Sequence, residues 1–437
     1  MKKLNHYILA AFLLCSSISI AQQTPASKQT KEKAIAIIGA TAHIGNGEVI
    51  THSIIVFKNG KIETVGDSRV IKMDFSNMDI IKAEGKHVYP GFIVPNSTLG
   101  LGEIDAVRAT QDNDEIGSMN PHIRSLIAYN AESKVVESMR PNGVLIGQIT
   151  PQGGRISGTS SIVQFDAWNW EDAALKVDDG LHLNWPSPYS RGRWWLGEPS
   201  HLKPNKDYTK QVEELNDYFL QNKAYQNGEK PSKHLPFEAM QNIISGSQKL
   251  YIHVNDAKGI TDAIEFSKAN NIKNMVIVGG YQAHQVVNLL KQNNIPILLK
   301  RVHSRPTSDD EDYDLPFKMA KILVDNDILV GLEANGGRME RMNSRNLPFY
   351  AGTCVAYGLD KEEALKLITS NTAQILGIDD FCGTLETGKD ATLFISEGDA
   401  LDMRTNKLTR AFIQGRDISL ETHQTELNER YSKKYKE

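Results

Sequence analysis

Three apolar runs in this chain end in residues able to hold or move a proton. Leu250-Tyr251-Ile252 leads into His253, residues 328–332 run into Glu333, Ala334 and Asn335, and residues 295–299 run into Lys300, Arg301, His303 and Arg305. An imidazole at a strand end can ligate a metal or act as a base, and it can also be a core histidine satisfied by hydrogen bonds. Of the pair at 333 and 335, a carboxylate accepts a proton near neutral pH and an amide does not. The cations after residue 299 place positive charge at the same level of the chain, or form a solvated basic loop.

The elements that would position these groups follow from periodicity. From residue 250 the chain alternates strand (250–254), helix (260–269), strand (275–278), helix (283–292), strand (295–299), helix (317–325) and strand (328–332). That rhythm implies a parallel sheet, open or closed. Val144–Ile149 reads as a further strand, and helices are expected at 206–226, 361–369 and 371–376. Residues 34–88 alternate apolar and polar positions between turns, which reads as several short strands, with Asn59-Gly60 as a type I′ hairpin signal. Residues 168–195 break the rhythm and hold Trp168, Trp170, Trp185, Trp194 and Trp195 with Arg191 and Arg193. That stretch reads either as a long loop whose aromatics pack on the sheet or as a lid over a site.

Fragments near the two chain ends carry a resemblance. Ala34-Ile35-Ala36-Ile37-Ile38-Gly39-Ala40-Thr41, Val56-Phe57-Lys58-Asn59-Gly60-Lys61-Ile62 and Val88-Tyr89-Pro90-Gly91-Phe92-Ile93 stand near one end. Gly383-Thr384-Leu385-Glu386-Thr387-Gly388-Lys389-Asp390-Ala391 and Phe412-Ile413-Gln414-Gly415-Arg416 stand near the other. Together they resemble the amidohydrolase superfamily of metal-dependent barrel hydrolases. Pro151-Gln152-Gly153-Gly154-Arg155 and Arg345-Asn346-Leu347-Pro348-Phe349 resemble loops of its secreted, imidazolonepropionase-like members. The resemblance implies an α/β fold: a TIM (β/α)8 barrel over residues 89–381, a small β-sandwich built from both chain ends (34–88 plus 382–418) and a tail, 419–437. It also implies a hydrolase acting on a non-peptide carbon–nitrogen bond of a cyclic amide or peptide-like small substrate, with a zinc-type divalent metal.

In that family the first barrel strand ends in a His-x-His pair, and a spacing of two puts both imidazoles on one face. Here Pro90-Gly91-Phe92-Ile93 is followed by Val94-Pro95-Asn96-Ser97-Thr98. Asn96 and Thr98 stand at the two histidine positions; an amide oxygen and a hydroxyl are weak metal ligands, and both are expected to bind substrate. His253 matches the fifth-strand ligand and is the expected metal-binding residue. Gly279-Gly280-Tyr281 follows the sixth strand, with His284 a turn further on and expected on a helix. Asn335, or Glu333 on a shift of two, stands for the eighth-strand aspartate that serves the family as ligand and base, so both are catalytic candidates. Arg301 and His303 are expected to bind substrate at the barrel mouth. One imidazole with one carboxylate falls short of the three protein ligands of a catalytic zinc, so metal binding is expected to be weak or absent. The alternative function is then a metal-free, inactive relative that binds a small molecule, pairs with an active amidohydrolase or forms a homo-oligomer.

The composition fits these expectations. The chain has 437 residues, 40% hydrophobic and 23% charged, enough for a large and a small domain. Lys2 and Lys3 precede an apolar run over residues 7–20 ending in Ser19-Ile20-Ala21, which reads as a signal peptide cleaved after Ala21 and an exported, periplasmic product. The run is too short for a membrane span. The formal charge of −4 gives no basis for nucleic-acid binding. Cys354 and Cys382 remain after cleavage and are expected to be buried and unpaired.

Overall fold

The computed structural model describes residues 24–27, 33–193, 196–198, 201–229, 232–334, 336–337 and 340–435. The signal-peptide reading of residues 1–21, and Trp194, Trp195 and Asn335, lie outside the described residues.

The helix and strand periods of residues 250–332 become real elements. Strands Lys249–Val254, Met275–Gly279, Ile297–Leu299 and Val330–Leu332 pair in parallel register. The intervening helices Ala257–Ala269, Val287–Gln292 and Leu315–Val324 lay apolar stripes on the outside, among them Ile260, Ala263, Ile264, Met319, Ala320 and Leu323. Asp256 starts the first of these helices, its carboxylate accepting the Gly259 N–H at 2.6 Å.

These four strands are half of an eight-stranded sheet. The others, in chain order, are Phe92–Ser97, Val144–Ile149, Ile156–Gln164 and Ala174–Asn184. The sheet nearly closes into a barrel: Ser97 of the first strand bridges Gly336 beyond the eighth, and the Thr98 N–H donates to the Gly336 carbonyl at 3.0 Å. The expected all-parallel (β/α)8 pattern fails at one strand. The third runs antiparallel to both the second and the fourth. Only residues 150–155 separate the second and third strands, and Gly153 (φ 81°) and Gly154 (φ 61°) turn the chain back in the left-handed region. A parallel crossover needs a dozen residues or more, so the short glycine loop dictates the reversal.

The described part of this stretch, residues 168–193, is not a simple loop. Ala174–Asn184 is the longest barrel strand, preceded by a short helix, Trp170–Ala173, that Asn169 caps through its side chain at 2.8 Å. Trp185 is buried, donates to the Tyr208 hydroxyl at 3.1 Å and packs edge-on against Phe266, while Trp168 is exposed. The 20-residue helix Tyr208–Asn227 follows.

One end of the barrel is apolar and plugged. Ile93, Ile146, Ile162, Val276, Val278 and Leu298 form one cluster with residues at 373, 375, 376 and 378, contributed by and just after the helix Ser370–Leu376. Two smaller sheets flank the barrel. A four-stranded sheet comes from residues 34–82, and a six-stranded sheet joins strands at 41–50 and 87–90 to strands at 393–418. Ile35, Ile55 and Phe57 of the first share a cluster with Val88, Leu393 and Phe412 of the second. The Asn59-Gly60 turn takes φ 51° and 80° and joins Ser53–Lys58 to Lys61–Asp67, as its residue types predict. Among the described residues no helix is long and apolar enough to cross a membrane. Cys354 and Cys382 are both buried and free.

Candidate active site

Above the apolar plug, the barrel interior turns polar. Inward positions alternate along each strand, so Tyr251 and His253 of the fifth strand point the same way. His182 of the fourth strand lies between them: its ring stacks on Tyr251 at 4.7 Å, and its Nδ1 lies 2.8 Å from His253 Nε2. Gln148, Ser160 and Asp179 complete the layer. Asp179 is buried and accepts from Gln148 Nε2 (2.9 Å), Ser160 Oγ (2.7 Å) and Tyr251 OH (2.8 Å). Burial pushes its carboxyl up, while the three donors pull it down.

The other side of the layer carries Glu333. It is 3% exposed, and its Oε2 accepts from Asn96 Nδ2. Burial raises its carboxyl from the ordinary 4.5 to about 7, against the Asn96 amide and the Lys300 charge, which favour the ionised form. Asn96 takes φ 48°, a left-handed conformation that asparagine tolerates, and its own N–H donates to Gln148 Oε1 at 3.0 Å. Burial lowers the His253 imidazole to about 4, and burial followed by the nearby His253 lowers His182 well below the usual histidine range. Both rings are therefore neutral at pH 7.

A cavity of about 450 Å³ opens over this layer, lined by Asn96, Gln152, His253, Asn255, Lys300 and Glu333 among others. Lys300 has no carboxylate partner among the described residues. A second hollow of about 440 Å³, near Ala26, is already neutralised: Lys61 pairs with Asp390 at 2.6 Å, and Arg416 with Asp166 at 2.8 Å. A group with a proton affinity tuned near neutrality, in a cleft with a cation and an imidazole, makes the first cavity the candidate site.

Of the residues singled out in the sequence, Asn96, His253 and Glu333 meet at this cavity. Thr98 does not. It is fully buried, and its hydroxyl donates to the Gly336 carbonyl at 2.7 Å, closing the barrel seam instead of facing substrate. Arg301 and His303 also turn away. Arg301 faces Glu340 at 3.5 Å, and His303 Nε2 lies 2.7 Å from Thr353 Oγ1 with its ring edge-on to Tyr350. Lys300 takes the place expected for them. His284 lies in the 3-10 turn Ala283–Gln285, away from the cavity lining.

The donors do not fit the zinc-type centre that the family resemblance implies. His253 Nε2 is engaged with His182, Asn96 turns its amide N–H groups toward Glu333, and Thr98 is spent on the seam. One imidazole nitrogen and one carboxylate oxygen remain, and no cluster of three metal-type ligands occurs among the described residues. A catalytic zinc takes three protein ligands.

Sequence reading missed His182, Asp179, Ser160 and Gln148. The signal for His182 was present: Leu181-His182-Leu183-Asn184 alternates as a half-buried strand does. The tryptophans around it drew the reading toward a loop.

The amidohydrolase family profile matches residues 322–419, from the helix before the eighth barrel strand into the six-stranded sheet. The chain is 23% identical over 390 residues, 80% of each chain, to a 5'-deoxyadenosine deaminase of Methanobrevibacter smithii. Among solved structures it is similar to an amidohydrolase from Thermotoga maritima, with a TM-score of 0.76 and 23% identity, covering 88% of this chain and 99% of that one. It is also similar to a Xaa-Pro dipeptidase with bound methionine, with a TM-score of 0.55 and 12% identity, covering 89% and 100%. These matches support the amidohydrolase superfamily. At such identities the structural likeness speaks for the fold alone.

Proposed function

We propose that the protein hydrolyses a carbon–nitrogen bond in a small cyclic amide or peptide-like substrate, with Glu333 as the acid–base group. The observation that carries this is the buried Glu333 carboxyl, held at the cavity wall by Asn96 and tuned to about 7. In its ionised form Glu333 accepts a proton from water as the water oxygen bonds to the carbonyl carbon. The same proton then passes to the leaving nitrogen as the carbon–nitrogen bond breaks, and Glu333 is returned ionised. The Lys300 ammonium, on the same wall, offsets negative charge developing on the carbonyl oxygen. General acid–base catalysis of this kind is worth about 10²–10⁴-fold in rate. The deaminase activity in the name of the Methanobrevibacter relative and the dipeptide substrate class in the name of the structural neighbour suggest the probes: N-acyl amino acids, cyclic ureides, dipeptides and 5'-deoxyadenosine.

The test is turnover of that panel by the wild type and Glu333→Gln, with and without added zinc or manganese. Hydrolysis of at least one compound, lost by about 10²–10⁴-fold in Glu333→Gln, is expected. Failure of the wild type on every compound, or an unchanged Glu333→Gln, rejects the reading. A second reading is favoured by the incomplete ligand set: a metal-free binding protein, working as a homo-oligomer or beside an active amidohydrolase. Saturable binding of a panel compound without turnover supports it. The lysines and apolar run over residues 2–21 support export to the periplasm, the loops at 151–155 and 345–349 support the imidazolonepropionase-like subgroup, and the shared core of the two end sheets supports the family's β-sandwich.

A further inference from the structure

The hydrogen bonds of the barrel interior form one chain from Asn96 to His253, and its first bond fixes a direction. It begins at the backbone N–H of Asn96, which can only donate, so its partner at 3.0 Å, Gln148 Oε1, accepts. That fixes the Gln148 amide, whose Nε2 then faces Asp179 Oδ2 at 2.9 Å and Ser160 Oγ at 3.2 Å as a donor. Ser160 has one proton. Three acceptors stand around it, Asp179 Oδ1 at 2.7 Å, His182 Nε2 at 2.9 Å and the Gly180 carbonyl at 3.2 Å, and the shortest contact, to the carboxylate, takes that proton as a charge-assisted bond. With its proton given to Asp179, Ser160 Oγ accepts from His182 Nε2 at 2.9 Å. A neutral His182 with its proton on Nε2 presents a lone pair at Nδ1. The contact at 2.8 Å then requires a proton on His253 Nε2. A neutral His253 so protonated is left with a lone pair on Nδ1, for which the described residues supply no partner, and His253 lines the cavity.

We propose that Asp179, acting through Ser160 and His182, locks His253 in the Nε2–H tautomer, so that the cavity meets a fixed, unprotonated Nδ1 acceptor. Asp179, Ser160 and His182 are positioning residues, and His253 is the group that touches substrate. The carboxylate that anchors His253 also anchors Glu333, because the path from Asp179 through Gln148 and Asn96 ends on Glu333 Oε2. A single buried carboxylate thus sets two cavity groups lying on strands 80 positions apart, His253 and Glu333. The ligand this recognises carries an N–H or O–H donor, an amide N–H or the attacking water, aimed at His253. An ester or a fully alkylated amide lacks such a donor. The consequence for substrate choice rests on the hydrolase reading above; the tautomer itself does not.

The experiment is long-range ¹H–¹⁵N correlation on the full-length protein labelled with ¹⁵N-histidine, with His182→Gln and His253→Gln used to assign the two rings. In the wild type, both rings are expected as Nε2–H tautomers, with slowly exchanging Nε2 protons. Ser160→Ala removes the acceptor for His182 and is expected to abolish the slow exchange at both rings, whereas Ser160→Thr, which keeps the hydroxyl, retains it. A wild-type His253 carrying its proton on Nδ1 overturns the proposal. So does slow exchange at His253 that survives Ser160→Ala in a protein shown to be folded by its unfolding transition. If Ser160→Ala does not fold, the wild-type tautomers and the Ser160→Thr spectrum still decide. No turnover is needed: a failed spectrum leaves the hydrolase reading standing, and a failed substrate panel leaves the tautomer standing.

Discussion

Glu333→Gln should stabilise the protein above neutral pH, and this is the sharpest energetic consequence of the site. In the folded chain, burial raises the Glu333 carboxyl from 4.5 to about 7. A carboxyl whose folded value is raised binds its proton more tightly in the folded state. Its favourable contribution is therefore complete below pH 4.5 and is lost as the pH rises from 4.5 to about 7, after which it stays lost. At about 1.4 kcal/mol per tenfold change in proton affinity, the loss comes to about 3 kcal/mol. Glutamine is nearly the same shape, carries no charge, and keeps an oxygen to accept the Asn96 amide. The variant should match the wild type near pH 4.5 and exceed it by about 3 kcal/mol at pH 8. Urea unfolding of both proteins at half-unit pH steps measures the difference directly. A difference that is flat across this range, or that favours the wild type at pH 8, would refute the claim that Glu333 sits desolvated and ready to exchange a proton near neutrality. The same variant should be inactive, so stability and activity move in opposite directions at this position.

Four further outcomes follow from the fold. Arg416→Ala removes a buried guanidinium that donates to Asp166 at 2.8 Å and to the Ala26 carbonyl at 3.0 Å; it should cost about 3–5 kcal/mol in unfolding free energy and speed proteolysis near residue 26. Gly352→Ala places a methyl group 2.1 Å from the Leu401 carbonyl oxygen, and the overpacking should lower stability by about 1–3 kcal/mol in the same urea assay. Burial pushes the Cys354 thiol up to about 12 and the Cys382 thiol higher still; neither should react with a thiol reagent in the native protein, and both should react after unfolding. Thr98→His should destabilise the barrel seam without raising the zinc content measured after dialysis, because the position faces Gly336 and not the cavity. A rise to about one zinc per chain would show instead that the first strand can turn that side chain inward.

Local chemistry alone determined a good part of this protein. Two consecutive residues suited to positive φ made the hairpin at Asn59-Gly60. Short apolar runs alternating with helical periods from residue 250 onward made the parallel strands and outer helices, and the polar residues ending those strands placed His253 and Glu333 at one mouth. Such features are legible because each depends on neighbours within one or two turns of chain. The glycine loop 151–154 also announced a tight turn, but its consequence, a third barrel strand running against its neighbours, depends on which strands that loop joins. A period of two says which residues share a face, not which way the strand runs or what lies beside it.

The tertiary structure decided the rest of the site. His182 and His253 are 71 positions apart and Asn96 and Glu333 are 237 apart, and nothing local in either segment specifies its partner. Closing the barrel sets Thr98 against Gly336, although its spacing from Asn96 suggested a shared face; the left-handed backbone at Asn96 breaks the simple alternation there. The same closure takes Glu333 out of water and raises its proton affinity, a property that belongs to the surroundings and not to the residue. Sequence supplied the groups able to exchange a proton. Burial and long-range pairing determined which of them face the cavity, and in which protonation state.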